Sequence, residues 1–485
     1  MSVKDSKSPL SFVTSILKFS VATWVNAVLY AAALLFVNLF IDKAIFGVYD
    51  LMISASTTLM SVVTLGFDHA YLRFYHEPPK GADDNRQIAS AGLRISVFVL
   101  LLFSAVFIFL IPDAIGRVFF EGRREIILLV SMCVTTLCMV VNRFFNITYR
   151  MQNNVLMFSF VSIALQFFTR IFFVFGVFIK KDFSVIAVFG LCGLVLFTVI
   201  FFLIFMKDML PKKHSMTKEA FTQLLKYSFG LMPSSVLLWG NQLVNKLFIS
   251  AKLGDSSLGL FAFAALISQS LGILQGGFAT FWSAYMFEHY KTENERIRKM
   301  HDLMVFVMMV LMCILILLSP VIFIILSGFS DSREIFGLLL YAPLLMIIAE
   351  TTVYGIEIAK KTVLNSLSSL ICIVTNIIFC IVLVPRFDIA GAAGALVLST
   401  AAMFIFRTVM AQRYYRTIKS YFKTFLSLLV MAALSVASYI FSTRYIILMP
   451  VTLGVLLLYV LLYKEEVDFF LVLLRNIYSS LKKKA

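Results

Sequence analysis

Two stretches of the chain read alike. Residues 38–41 are Asn38-Leu39-Phe40-Ile41, and residues 46–49 are Phe46-Gly47-Val48-Tyr49. Later, Lys246-Leu247-Phe248-Ile249 and Leu258-Gly259-Leu260-Phe261 follow the same order. Working outward, Leu17-Lys18-Phe19-Ser20 matches Leu225-Lys226-Tyr227-Ser228, and Ala70-Tyr71 matches Ala284-Tyr285. Phe183 with Gly190 and Gly193 matches Phe387 with Gly391 and Gly394. Each match alone is weak, but all keep one order with a slowly drifting offset. The sequence therefore predicts two copies of one unit.

Composition gives the unit its medium. Of 485 residues, 61% are hydrophobic, 14% are charged and 50 are phenylalanine, with mean hydropathy +0.95. A soluble domain carries about 25% charged residues. Too little polar surface remains to coat a water-soluble protein, so a soluble enzyme, a disordered chain, a disulfide scaffold and a nucleic-acid-binding domain are excluded. The net charge of +16 suits basic cytoplasmic loops of a membrane protein. All six cysteines (Cys133, Cys138, Cys192, Cys313, Cys372 and Cys380) lie in apolar runs and read as small core residues. The first apolar run is too long for a cleavable signal and reads as a retained helix.

A spanning helix needs about 20 mostly apolar residues. Fourteen such runs are expected, at about 10–40, 44–73, 87–112, 124–150, 154–180, 183–206, 220–251, 255–287, 297–328, 334–358, 361–385, 388–416, 420–441 and 443–463. Spans 1–6 and 7–12 carry the repeat. An even number of spans separates the copies, so they share one topology, and an axis along the membrane normal relates them. The expected organisation is a first lobe over 1–206, a cytoplasmic linker over 207–219 and a second lobe over 220–416. Two additional spans follow over 417–463, then a basic amphipathic tail over 464–485 on the inner leaflet. Most of the 42 Lys and Arg fall inside if both termini are cytoplasmic.

With these features in hand, the chain resembles the multidrug/oligosaccharidyl-lipid/polysaccharide (MOP) exporters. Within them it is most similar to the polysaccharide-type, Wzx-like flippases. The resemblance covers roughly residues 10–416. Phe46-Gly47-x-Tyr49 after span 1 and Gly66-Phe67-Asp68-x-Ala70-x-x-Arg73-Phe74 at the end of span 2 carry it most specifically. It implies an all-α, MATE-like membrane fold of two pseudo-symmetric six-helix lobes plus two C-terminal helices. It also implies a flippase of the bacterial cytoplasmic membrane that moves undecaprenyl-diphosphate-linked oligosaccharide outward by rocking its lobes. Such a protein does no covalent chemistry. It works among membrane lipids, with polysaccharide polymerase machinery as a candidate partner.

Charge inside a bilayer is costly, so each intramembrane ionisable residue is a functional candidate. Arg170 in span 5, Lys246 in span 7 and Arg143 in span 4 complement a lipid diphosphate. Snorkelling to headgroups accounts equally for Lys246 and Arg143, and a structural ion pair for Arg170. Amides suit sugar hydroxyls because they donate and accept. The candidates are Asn26 and Asn38 on span 1, Asn241, Gln242 and Asn245 on span 7, and Gln269 and Gln275 on span 8. On span 7, Gln242, Asn245 and Lys246 share a face. Interhelical hydrogen bonding explains the amides as well. Glu350 in span 10 is the candidate for Na⁺ or H⁺ coupling, or a counter-ion for an arginine such as Arg170. Asp68 with Arg73 is expected to form an inner gate or a structural ion pair, and Glu288, at a similar end of span 8, is a further gate candidate.

No Walker A, GxSxG, HExxH or CxxC motif is present, and the five histidines are scattered. No cofactor is expected. Three other functions remain open. A lipid II flippase would share the mechanism. A multidrug or cation antiporter would want acids in the first-lobe cavity, where the sequence suggests amides and bases. A membrane-embedded polymerase or ligase would want a long outer loop, and the longest expected here is about 113–123.

Overall fold

The structure is a computed structural model that describes residues 9–82, 84–110, 126–210, 216–361 and 363–467. The expected outer loop 113–123, the centre of the basic linker and most of the amphipathic tail lie outside the described residues. Every described element is helical. In chain order they are α1 (Pro9–Phe40), α2 (Lys43–Val63), α3 (Phe67–Phe74), α4 (Asn85–Ala105), α5 (Ile126–Met151), α6 (Val155–Arg170), α7 (Phe183–Phe205) and α8 (Lys218–Leu253). Then follow α9 (Asp255–Gln269), α10 (Gly272–His289), α11 (Asn294–Ile325), α12 (Arg333–Ala349), α13 (Tyr354–Ile358), α14 (Val363–Tyr414), α15 (Tyr421–Ile440) and α16 (Tyr445–Leu462).

Eleven helical segments among the described residues are long and apolar enough to cross a membrane. The 52-residue α14 covers two of the fourteen expected spans, with its break at Asp388 (φ 50°, ψ −129°). The 36-residue α8 is longer than most spans but carries more polar residues.

Helix starts follow from short polar side chains. Asp84, Asn154, Asp182, Thr217 and Ser420 each accept a hydrogen bond from a backbone N–H in the first turn of α4, α6, α7, α8 and α15. Between helices, buried hydroxyls and amides replace the missing water. Ser56 of α2 donates to the Met132 carbonyl of α5, Thr136 of α5 donates back to the Ser56 carbonyl, and Asn142 of α5 donates to Thr198 of α7 at 2.8 Å.

The chain divides into two compact units, Met1–Phe263 and Ala264–Ala485. In the first, α2 packs against α5 and α8, while α1 lies on α6. In the second, α12 is central, touching α10, α11, α14 and α15. Its residues from Ile335 to Ala349 are buried on nearly every face, as expected of a helix apolar all round. The outward faces stay apolar, with Leu203 on α7, Ile324 on α11 and Leu461 on α16 exposed. Such surfaces require lipid. Five of the six cysteines are buried; Cys192 is exposed on α7, which corrects the core reading for that one.

Candidate functional site: a shared carboxylate and an interrupted pair of helices

In the first unit, α2 buries Asp50 to 5% exposure. The Lys246 ammonium of α8 donates to Asp50 Oδ2 at 2.5 Å and to Ser54 Oγ at 2.5 Å. Arg170 closes α6, where a cation meets the partial negative charge of a helix C-terminus. Its Nη1 donates to Asp50 Oδ1 at 3.4 Å, and its guanidinium lies 5.5 Å from the Tyr30 ring of α1. Four helices thus converge on one carboxylate. Two basic side chains share one carboxylate, so the formal charges do not cancel.

The structure brings Arg170 and Lys246 together, and it supplies an acid that the sequence reading missed. Arg170 has Asp50 as its counter-ion, in place of Glu350. The expectation that this region holds only amides and bases is corrected by the same residue. Asn241 and Asn245 are buried beside Lys246 on α8, whereas Gln242 is exposed. The face expected to join Gln242, Asn245 and Lys246 is therefore split. On α1, Asn38 is half-buried, and Asn26 keeps a buried Oδ1 without a hydrogen-bond partner.

At the far end of α2, the expected Asp68–Arg73 pair is replaced by two others. Arg143 of α5 donates to Asp68 Oδ2 at 3.0 Å through Nη2 and at 3.2 Å through Nε. Arg73 instead pairs with Glu77 at 2.9 Å on the exposed side. Asp68 and Arg73 are five apart on α3 and so point to different sides of it, while Glu77 lies in the bend just past the end of α3, within reach of Arg73. His69 Nε2 lies 3.9 Å from Asp68 and 3.1 Å from Ser235 Oγ of α8. Arg143 is thus held by a carboxylate in this conformation.

In the second unit, Gln275 Nε2 donates to Glu350 Oε1 at 3.0 Å. Both stand at helix interruptions. The eighth expected span is broken between α9 and α10 at Ser270–Leu271, and the tenth between α12 and α13 at Glu350–Val353. Interrupted helices occur at membrane depth where they line a cavity or lie buried in protein. Arg407 of α14 lies within the electrostatic reach of Glu350 and Glu357. It was not among the candidates read from the sequence. Gln269 and Glu288 are exposed and stand apart from this cluster. Among the described residues, no group of three His, Cys, Asp or Glu side chains could hold a metal ion.

The sequence profile of the polysaccharide biosynthesis protein family matches residues 12–287. No curated protein sequence matches the chain. Among solved structures, it is similar to the lipid II flippase MurJ in an inward closed conformation, with TM-score 0.71 and 16% identity over 93% of this chain and 99% of that one. It is also similar to an inward-facing multidrug-resistance MATE family transporter of the MOP superfamily, with TM-score 0.55 and 12% identity over 80% and 94%. A third is a MOP superfamily transporter from Pyrococcus furiosus, with TM-score 0.51 and 12% identity over 82% and 95%. At these identities the structures establish the fold, and the profile, which spans more than half of the sequence, establishes the family. These solved structures are a flippase and transporters. This multi-pass membrane chain belongs to the polysaccharide biosynthesis protein family, and its fold is that of the MOP flippases and transporters.

Proposed function

We propose that the protein flips an undecaprenyl-diphosphate-linked oligosaccharide from the inner to the outer leaflet of a bacterial cytoplasmic membrane for surface polysaccharide assembly. Both termini face the cytoplasm in this reading. The observation that carries it is the Arg170–Asp50–Lys246 cluster. A buried carboxylate with two bases holds a surplus positive charge that an apolar medium does not tolerate idly. A lipid diphosphate is a multivalent anion of the right sign, and guanidinium plus ammonium is a fitting pair for it. Asp50 occupies the bases in the absence of that anion, and the diphosphate would compete for them. The prenyl chain stays in lipid while the head group crosses.

A cation antiporter is disfavoured by the same cluster. The acid it would require is present as Asp50, but two bases already neutralise it. A lipid II head group carries the same diphosphate, and the likeness to MurJ favours keeping it as the second reading.

Complementation tests the proposal. A host lacking its own surface-polysaccharide flippase would receive the wild-type chain, Arg170→Ala or Lys246→Ala, with protein abundance measured alongside. Loss of surface polymer at normal abundance is expected for both variants. Full rescue by both would sink the cationic site. Rescue of a strain depleted of its lipid II flippase, without rescue of surface polymer, would move the assignment to the second reading.

A further inference from the structure

The polar cluster of the second unit has the composition of neither a cation site nor an anion site. Glu350 and Glu357 are both half-buried, and the Arg407 guanidinium stands within reach of their charge. A metal cation entering here would meet that guanidinium. An anion would meet two carboxylates. A ligand matched to this mixture both donates and accepts. The Arg407 Nε is buried without a hydrogen-bond partner and requires an acceptor. Glu350 uses one oxygen for Gln275 and has capacity on the other for a donor. Hydroxyl groups of a sugar fill both roles.

The surrounding backbone leaves space for such a ligand. Gly272 and Gly276 lie on the face of α10 that carries Gln275, and a Cβ at either would meet open space. The interruption at Glu350–Val353 is pinned to α14 beside Arg407, where Thr352 Oγ1 lies 3.0 Å from Thr408 Oγ1. The Gly355 backbone also packs directly on Ala411. Glu350 and Arg407 are thereby fixed by neighbouring turns.

We propose that Gln275, Glu350, Glu357 and Arg407 form a saccharide-binding site that reads hydroxyl groups of the glycolipid's sugar. This assignment rests on the function proposed above and extends it. Glu350 then serves as a hydroxyl acceptor, not as the ion-coupling residue that the sequence suggested.

The test uses the full chain in lipid nanodiscs and two probes. One is sugar-free undecaprenyl diphosphate. The other is the undecaprenyl-linked saccharide pool extracted from source cells that lack this protein. Binding is read by intrinsic fluorescence and by the shift in melting temperature. The wild type should bind the glycolipid at least tenfold more tightly than the sugar-free lipid. Arg407→Gln and Gln275→Leu should each erase that difference while keeping the response to sugar-free lipid, which also reports correct folding. If Arg407→Gln fails to fold, Gln275→Leu decides alone. A sugar-dependent gain that survives in the folded variants overturns the site, as does a wild type that ignores the sugar. A wild type that binds neither probe overturns the proposed function itself. Replacing sodium with choline supplies a further arm. Sodium-dependent stabilisation lost in Glu350→Gln would overturn the saccharide assignment in favour of a cation.

Discussion

Lys246 Nζ stands 2.5 Å from Asp50 Oδ2 and 2.5 Å from Ser54 Oγ, so one side chain of α8 grips two successive turns of α2. Removing one member of a buried pair is costly, because the other charge remains in a medium that cannot solvate it. Asp50→Ala leaves two bases uncompensated, and the expected loss is about 3–5 kcal/mol. Lys246→Ala should cost less, since Arg170 still faces Asp50 at 3.4 Å. The double variant Asp50→Ala with Lys246→Met should recover abundance without recovering export. Melting temperature in detergent measures the first effect and surface polymer the second. A stable Asp50→Ala protein would show that the pair holds nothing together.

The two ion pairs near the end of α2 should differ in the same assay. Arg73 and Glu77 are both exposed at 2.9 Å, and such pairs contribute about 0–1 kcal/mol. Arg143→Ala instead strips Asp68, which is 7% exposed, of two charge-assisted hydrogen bonds. Hydrogen bonds to charged groups contribute about 1.5–3 kcal/mol, so Arg143→Ala should lower the melting temperature clearly and Arg73→Ala hardly at all. Equal effects would mean that the Asp68–Arg143 contact is incidental.

How much of this was legible in the sequence depends on depth and direction. Hydropathy and the repeat gave the class and the fold, because the membrane imposes them on composition residue by residue. Arg170 and Lys246 stood out as charges inside apolar runs. Asp50 did not, because it lies in the second turn of the expected span 44–73, close to the charged pair Asp42-Lys43 that precedes it. Arg407 likewise lies in the last third of the expected span 388–416, six residues before Arg413, and reads as a base at a span end. Pairing was harder still. Asp68 and Arg73 are near in sequence but differently directed on α3, whereas Asp68 and Arg143 meet across helices. The interruptions at Ser270–Leu271 and Glu350–Val353 fall on short polar runs, Gln269-Ser270 and Glu350-Thr351-Thr352, which a reading over about 20 residues averages away.

Acid should expose one contact outside the spans. Glu293 lies between α10 and α11 and accepts hydrogen bonds from the Tyr285 hydroxyl and from Arg296 Nη1 at 3.1 Å. These bonds, Tyr285 first, hold its carboxyl below the usual carboxylate range. A lowered folded value means that the contribution is present above the ordinary pKa, about 4.3, and is lost as pH falls through the lowered one. Glu293→Gln should flatten the acid limb of the melting-temperature profile between about pH 5 and pH 3, with little change near neutrality. An unchanged acid limb would mean that the loop carboxylate is not engaged in the folded protein.

The glycines give a prediction whose sign separates packing from propensity. Replacing glycine by alanine inside a helix normally stabilises by about 0.5–1 kcal/mol. Gly230 of α8 faces open space, so Gly230→Ala should show that gain. Gly47 of α2 should do the reverse. A Cβ there would stand 2.5 Å from Gly259 N and 2.6 Å from Asp255 O, and a Cβ on Gly259 would overlap the Lys43 carbonyl. Gly47 and Gly259 are matching positions in the sequence repeat. A methyl group at either therefore pushes α2 and α9 apart. Gly66 adds a backbone argument. Its φ of 77° is left-handed, and its Cβ would overlap the Ser228 carbonyl, so Gly66→Ala should cost about 1–3 kcal/mol. Melting temperatures of the four alanine variants order these effects. If Gly47→Ala and Gly259→Ala stabilise as Gly230→Ala does, the close approach of α2 and α9 is not part of the folded state.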